Sequence, residues 1–560
     1  MAGLPDEGPF TRWGLPLAKL AMDGAAVLTV GALLMAVVLL PNSDGKLGAA
    51  ARRWVGVASG AAFCWALAAA ATLLFRVSTA LGTPVTEMFG GGPAELAGLV
   101  VGSPWGVGLA VVVALTAVAG LLARRTVTAG GGALLLTLAL TALLPPALTG
   151  HAASSPDHDL ASTAVALHLM ALSVWVGGLA VLCWHTLGGW PEPATAAERF
   201  SRAALWCYLA VALSGLFAAM ARLSSPAELV TEPYGLLVLV KCALLAVLGL
   251  FGHLHRRRTL PLLNRGESGA FARLAGGEVA LMCATVGVAV ALSESPPPDI
   301  PLPADPVARS VGFPIPPPIS LDGVALLWRF DLPMSVVAAV LAGMYGAGLW
   351  RSHRAGLRWP VGRSAAWFAG ILLLVVVTQG GVARYARVMF SMHLVQNMTL
   401  AAPVAFLLVL GAPVTLALRV LRPAAIPGDR GPREWLTVFL GSRAVLLASR
   451  LRTAAALCLA AVYVPYATPL YETVMELPLG HLAMGLCYLL FGALCFGGLF
   501  GLPPSREPSG QDGSREPSDA VGVRGAHSSS SSRTPYSVIQ KSNSTSRSRT
   551  ARAPHGPPIL

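Results

Sequence analysis

Charge is what this sequence has least of. Only 12% of its 560 residues are Asp, Glu, Lys or Arg, while 55% are hydrophobic. Soluble domains carry about 25% charged residues. With half that, the chain has too little polar surface to cover a water-soluble globule, which excludes a soluble enzyme, a disordered scaffold or a fibre for most of the length. Cysteine pairing is missing as well. Cys64, Cys183, Cys207, Cys242, Cys283, Cys458, Cys487 and Cys495 all fall in apolar runs and none forms a CxxC pair, so neither a zinc module nor a disulfide framework is expected. No cleavable signal peptide is evident, because the first apolar run, near Leu17, lacks a basic leader and is too long for an h-region. Nucleotide fingerprints are absent too: Gly90-Gly91-Gly92 and Gly130-Gly131-Gly132 lie at helix boundaries with no strand before them. No Ser/His/Asp arrangement has positional support, so no nucleotide, flavin or catalytic turnover is expected.

What the sequence does have is apolar runs. A spanning helix needs about 20 mostly apolar residues, and thirteen runs qualify: 17–40, 54–76, 105–123, 128–149, 160–184, 203–221, 235–252, 274–292, 334–350, 365–381, 388–418, 453–470 and 478–500. The expectation is an all-α polytopic membrane protein in two bundles of eight and five helices. A helical domain over 1–292 is followed by a Pro-rich extracytoplasmic linker over 293–333. A second helical domain covers 334–501, and a basic Ser/Arg-rich tail over 502–560 reads as disordered in the cytoplasm.

The formal charge of +13 does not point to nucleic acid, because the basic residues follow topology. With the N-terminus outside, the six loops then assigned to the cytoplasm hold 23 of the 40 Lys and Arg, and the outer segments hold 8. Cytoplasmic loops are enriched in just this way. Acidic residues, among them Asp157, Asp159, Glu472 and Glu476, gather at the outer side, which suits a cationic partner or substrate.

Polar groups inside spans are costly and are functional candidates. In the first half these are His168, about two turns into the fifth run, together with Lys241 and Asp23. Lys241 and Asp23 are expected to pair structurally. His151, Asp157, His158 and Asp159 cluster in the loop before the fifth run, where imidazole and carboxylate suit capture of a transition metal. His168 fits either a ligand or a hydrogen-bonded core histidine, and Gly177-Gly178 suits a close helix crossing.

In the second half, Met389, His393, Gln396 and Asn397 fall on one face of the eleventh helix. His481, Met484 and Cys487 follow at steps of three on the thirteenth. Both sets lie within about two turns of the outer surface by the topology above. Soft sulfur with imidazole favours Cu(I) over hard cations, with Gln396, Asn397, Asp23 and Lys241 as supporting residues. Packing of ordinary membrane-core residues fits the same spacing.

At these motifs two resemblances enter. Residues of about 150–297 resemble the copper resistance protein D family (CopD), through His168 to Gly178, Phe200-Ser201, Ser214-Gly215, Tyr234-Gly235 with Lys241, and Glu278 leading to Pro296-Pro297. Residues of about 324–502 are similar to the cytochrome c oxidase assembly factor CtaG family. The match runs through Trp359-Pro360-Val361 with Arg363, Tyr385, Phe390-Ser391-Met392-His393, Val395-Gln396, Pro403, Leu410 to Val414 with Arg419, Tyr471, and Gly480-His481 with Met484. The order is similar to fused proteins of actinobacteria.

The resemblance implies a multi-pass protein of a bacterial plasma membrane that handles copper. It would take up or transfer the ion and deliver it toward the terminal oxidase, with oxidase subunits or an extracytoplasmic copper chaperone as partners. The CtaG pattern has histidines where this chain has Asn397 and Cys487, and it continues into further helices where the Ser/Arg-rich tail begins. Two alternatives remain at this point: a metal-free scaffold for oxidase assembly, and a b-type haem cytochrome, for which His168 with His253 is a poor axial pair.

Overall fold

The computed structural model describes residues 8–88, 92–149, 158–223, 225–294, 305, 308, 311–476 and 479–500. His151, Asp157, the tail and much of the Pro-rich linker lie outside the described residues, as does the side chain of His158. Helices dominate, and the only β pairing described is two isolated bridges, Ser43 with Lys46 and Lys46 with Thr128.

Among the described residues, twelve helices are long and apolar enough to cross a membrane. They are α1 (Gly8–Leu39), α2 (Ala49–Leu81), α3 (Pro104–Ala123), α4 (Ala129–Thr149), α5 (Asp159–Leu187), α6 (Pro193–Met220), α7 (Pro233–Leu263), α8 (Gly269–Ala289), α9 (Leu332–Arg354), α10 (Val361–Gln379) and α11 (Phe390–Val420), with Gly480–Leu499 closing the series. The remaining run forms α12 (Leu451–Ala467), so the last helix is α13. At 17 residues α12 is shorter than the others. Its end is set locally: Thr468 precedes Pro469 and is extended (φ −135°, ψ 164°), because a residue before proline is pushed out of the helical region.

Among the described residues, three helices carry a wide π turn: Met35–Leu39 in α1, His255–Thr259 in α7 and Leu400–Val404 in α11. In α11 the turn holds Pro403, whose missing N–H an ordinary turn would leave as a gap in the hydrogen-bond ladder. Beyond it Ala412 adopts φ 48°, and the helix resumes at Pro413.

α1 is the centre of the first eight helices, where Trp54, Trp65, Leu33, Met35 and Leu182 form the core. It crosses α5 with Gly31 against Gly177: a Cβ on either would collide with a backbone carbonyl of the facing helix. Gly178 makes room for Phe200 and Leu34 in the same way. This is the close crossing expected from Gly177-Gly178. Gly177→Leu should therefore force α1 from α5 and cost about 3 kcal/mol or more, measured as a fall in melting temperature in detergent.

The later helices have their own core, with Tyr345, Trp367, Leu374, Val404 and Tyr488 at its centre. Tyr345 stacks on Trp367 at 4.7 Å and donates its hydroxyl to Gly411 O at 2.9 Å. Trp359 Nε1 donates to the Tyr345 hydroxyl at 3.0 Å, and Arg363 and Arg419 both lie over the Trp359 ring. The Trp359, Arg363, Gly411 and Arg419 of the CtaG-like motif thus form one cluster, at the end assigned to the inside.

Polar seams join the two halves at both ends. At the inner end the buried Asp429 accepts from the backbone and side-chain nitrogens of Asn42, both at 3.0 Å, and pairs with Arg199. At the outer end Asp159, opening α5, pairs with Arg387 at 2.7 Å and approaches Arg329 at 3.9 Å. Each pair joins residues that the Lys/Arg distribution assigns to the same side of the membrane.

Candidate functional site

The site is built where α11 and α13 begin, at the end assigned to the outside. Met389 is the extended N-cap of α11 (φ −130°, ψ 119°), so it stands before the helix rather than on its face. One turn in, His393, Gln396 and Asn397 are buried, at 1%, 3% and 2% exposure. α13 is entered through a tight turn: Leu479 has φ 67°, and a Cβ on Gly480 would collide with the Val474 carbonyl. A positive φ at a bulky leucine is strained, and His481 lies two residues beyond it.

The rings of His393 and His481 lie 5.1 Å apart at 64°. Asn397 Nδ2 approaches His393 Nε2 at 2.9 Å, and His481 Nε2 approaches Gln396 Oε1 at 3.0 Å. Gln396 Nε2 donates to Val377 O at 3.0 Å, which fixes its amide so that its oxygen faces His481. His481 is therefore the Nε2–H tautomer with its lone pair on Nδ1, and no described hydrogen bond involves that atom. On His393 the donating amide takes the Nε2 lone pair, and Nδ1 is buried without a partner. Such orphaned buried groups are uncommon and call for an explanation.

Aromatic rings close the other side. Tyr471 lies 5.3 Å and Tyr466 6.1 Å from the His393 ring, and Phe390 packs on both tyrosines. Toward the seam, a small cavity of about 20 Å³ is lined by His481, Gln396, Asn397, Met334, Asp331 and Arg387, among others. That is room for one water-sized group. Asp331 caps α9 by accepting from Met334 N at 2.9 Å. Burial pushes its carboxyl above the usual range, opposed by that N–H and by Arg387.

The other sequence candidates are dispersed. Met484 is buried in the core beside Tyr488, but Cys487 lies on the exposed face of α13, so no thiolate joins the imidazole pair. Two steps of three residues explain this, since each drifts about 60° short of a full turn. His168 sits within the first eight helices, where its Nδ1 lies 3.1 Å from Ser214 Oγ. The Ser214 hydroxyl donates to Val211 O, so Nδ1–H donates to Ser214 and His168 is a hydrogen-bonded core histidine on that side. The expected Asp23–Lys241 pair does not form: Asp23 is exposed, and neither residue takes part in any described ion pair. Asp159 is committed to Arg387. Among the described residues no group of three or more His, Cys, Asp or Glu is arranged to hold a metal.

Residue spacing does not reveal Met334, Tyr466, Asp331 or the arginines. A signal exists for the last. Arg329, Arg384 and Arg387 are outer basic residues in a chain that keeps most of its basic residues inside, and all three line the cavity.

Comparison with known proteins agrees with this architecture. The model for the cytochrome c oxidase caa3 assembly factor (Caa3_CtaG) matches residues 343–512. That for copper resistance protein D matches 194–292, and that for the copper resistance protein D-like N-terminal domain matches 10–159. The protein Mb0105 of Mycobacterium bovis is 30% identical over 516 residues, covering 90% of this chain and 74% of its own. The protein ML1998 of Mycobacterium leprae is 30% identical over 508 residues, with the same coverage. The copper transport protein CutJ of Bacillus subtilis is 31% identical over 166 residues, 29% of this chain and 30% of its own. No solved structure matches. The chain belongs to the family of these mycobacterial proteins, a multi-pass membrane protein in which regions like copper resistance protein D and like the oxidase assembly factor CtaG are fused.

Proposed function

We propose that this protein holds copper as Cu(I) between His393 and His481 and passes it by ligand exchange to a partner in oxidase assembly, without catalytic turnover. One observation carries the reading: a buried imidazole, His393, and a half-buried one, His481, meet edge to face from different helices at 5.1 Å, and neither Nδ1 has a described hydrogen-bond partner. Two nitrogens with nearby thioether suit Cu(I), which accepts soft donors at low coordination number, and Met334 lines the adjoining cavity. The family matches supply the wider context of copper and oxidase assembly.

Gln396 and Asn397 then act on the ligands rather than on the metal. A metal-binding histidine usually donates its other ring N–H to an oxygen, which fixes the tautomer. Gln396 already does this for His481. Asn397 does it for His393 once its amide is turned, so that Oδ1 accepts from Nε2–H and Nδ1 is freed for the metal. An amide at position 397 therefore serves the site without being a ligand. Gln396→Leu is expected to weaken Cu(I) binding about 10- to 100-fold and to leave the melting temperature of the metal-free protein within a few degrees. Competition with a chromophoric Cu(I) chelator measures the first quantity.

One observation favours a metal-free scaffold instead: in this structure Asn397 donates to His393 Nε2, and that hydrogen bond occupies the Nε2 lone pair without metal. The readings separate if the His393→Ala/His481→Ala variant is tested for oxidase activity in cells. Retained activity supports the scaffold, and activity restored only by added copper supports delivery.

A further inference from the structure

A second cavity, of about 430 Å³, lies among α5 to α8 at the end assigned to the inside. It shares no lining residue with the imidazole site. Its walls are aromatic and aliphatic: Trp175 and Leu179 of α5, Phe200 and Tyr208 of α6, Leu248 of α7 and Phe271 of α8. Trp175 and Tyr208 pack edge to face at 5.8 Å.

The polar end is a buried couple, His255 and Glu278, at 7% and 3% exposure. His255 opens the π turn of α7 and packs on the Phe271 ring at 5.1 Å. Its Nδ1 lies 2.7 Å from Thr259 Oγ1, whose hydroxyl donates to the His255 carbonyl. Thr259 Oγ1 thus engages Nδ1, and the second nitrogen, Nε2, faces Glu278 Oε2 at 3.2 Å without hydrogen-bond geometry. An imidazole nitrogen and a carboxyl oxygen therefore stand side by side at the end of the cavity, both able to hydrogen-bond a ligand. At the rim, Arg256 is held in place by donating to Ser201 Oγ at 3.0 Å and Ser201 O at 2.8 Å.

We propose that this cavity binds a lipid-soluble quinone or quinol. The volume falls within the range of about 300–1,000 Å³ typical of small-molecule sites, enough for a flat ring and the start of an isoprenoid tail. The aromatic walls suit the ring, since offset and edge-on contacts between π systems are favourable. Imidazole and carboxyl side by side match a ring oxygen in either redox form, an N–H donating to a quinone carbonyl or a carboxyl oxygen accepting from a quinol hydroxyl. A saturated acyl chain would use the walls and leave the buried couple unmatched. Ionisable groups within a membrane are functional candidates by default, and π turns recur at functional sites. The inference concerns binding alone, and no electron transfer is part of it.

The test uses the full purified chain in detergent, titrated with a short-chain 1,4-naphthoquinone. Gly252 lines the cavity, and an added Cβ there meets nothing within 4 Å, so Gly252→Phe brings a bulky ring to the cavity wall from an unobstructed Cβ. Saturable binding is expected, weakened at least about tenfold by Gly252→Phe and about tenfold by Glu278→Gln, the loss of one hydrogen bond to a charged group. Cu(I) binding by Gly252→Phe should equal that of the parent. Three results overturn the proposal: no saturable binding, undiminished binding in Gly252→Phe, or displacement by phosphatidylglycerol as effective as by unlabelled quinone, which would mark an adventitious lipid groove. If Gly252→Phe does not fold, an azido-naphthoquinone photolabel on the parent chain decides. Label on the α5 and α7 peptides bearing Trp175 and Gly252 supports the site, and label elsewhere refutes it.

Discussion

Replacing His393 and His481 together with alanine is expected to abolish tight Cu(I) binding by the purified chain. The loss should exceed the roughly 10- to 100-fold that removal of a ligand's outer partner costs, because both nitrogens go at once. The single variants should each show most of the effect, since two donors acting as a unit are not additive. Stability should fall less than affinity. Each histidine makes one described ring hydrogen bond, to Asn397 or Gln396, and the cavity left by two truncated rings is partly lined by flexible Met334. Competition titration against a chelator reports the affinity, and thermal melting of the same samples separates a lost site from a lost fold. Stoichiometry unchanged in the folded double variant would refute the proposed site.

Asp429→Ala is expected to be the most destabilising change at either seam. The carboxylate is buried and satisfies the Asn42 backbone N–H, the Asn42 side chain and Arg199 at once. Removing one member of a fully buried pair costs about 3–5 kcal/mol, and the lower end applies here because the Arg199 side chain keeps 20% exposure. Here it also strands two Asn42 donors for which no other acceptor is described. Asp159→Ala at the other end should cost less. Arg387, which loses its partner at 2.7 Å, keeps Asp331 within 4.0 Å. Melting temperatures of the two variants in detergent should rank in that order, with protease cleavage rising in the 421–431 segment of the first. Equal melting temperatures would mean that the inner seam is no tighter than the outer.

The helices are legible in the sequence because a membrane leaves backbone polar groups only one local solution, so twenty apolar residues announce a helix whatever their order. α12 shows the limit of that rule: its apolar run continues to 470, but Pro469 stops the helix at Ala467. The imidazole pair is legible for a related reason. His393 and His481 each lie close to the start of their helix, and adjoining helices entered from one side bring such residues to one level. Cys487 falls off the site because a three-residue step cannot be repeated without drifting around the helix, and Met389 because the helix has not yet begun there. Arg387 and the Asp331–Met334 cap of α9 come from separate segments whose meeting depends on packing between helices, which no periodicity within a segment encodes. The inner couple of His255 and Glu278 is hidden in the same way, since it needs a wide turn on α7 to aim the imidazole at α8.

Those wide turns bear on how the chain tolerates changes in length. Each π turn holds one residue more than an ordinary turn, and each residue rotates the rest of its helix by about 100°. Deleting one residue within Leu400–Val404 can therefore be absorbed by tightening the turn into regular helix, with the Ala405–Leu410 face kept in register. The same deletion at Val395, in the regular turn between His393 and Asn397, would rotate Asn397 away from the ring it touches and carry Gln396 off His481. Insertions and deletions among relatives should accordingly collect at Met35–Leu39, His255–Thr259 and Leu400–Val404. These turns act as slack within three of the long helices.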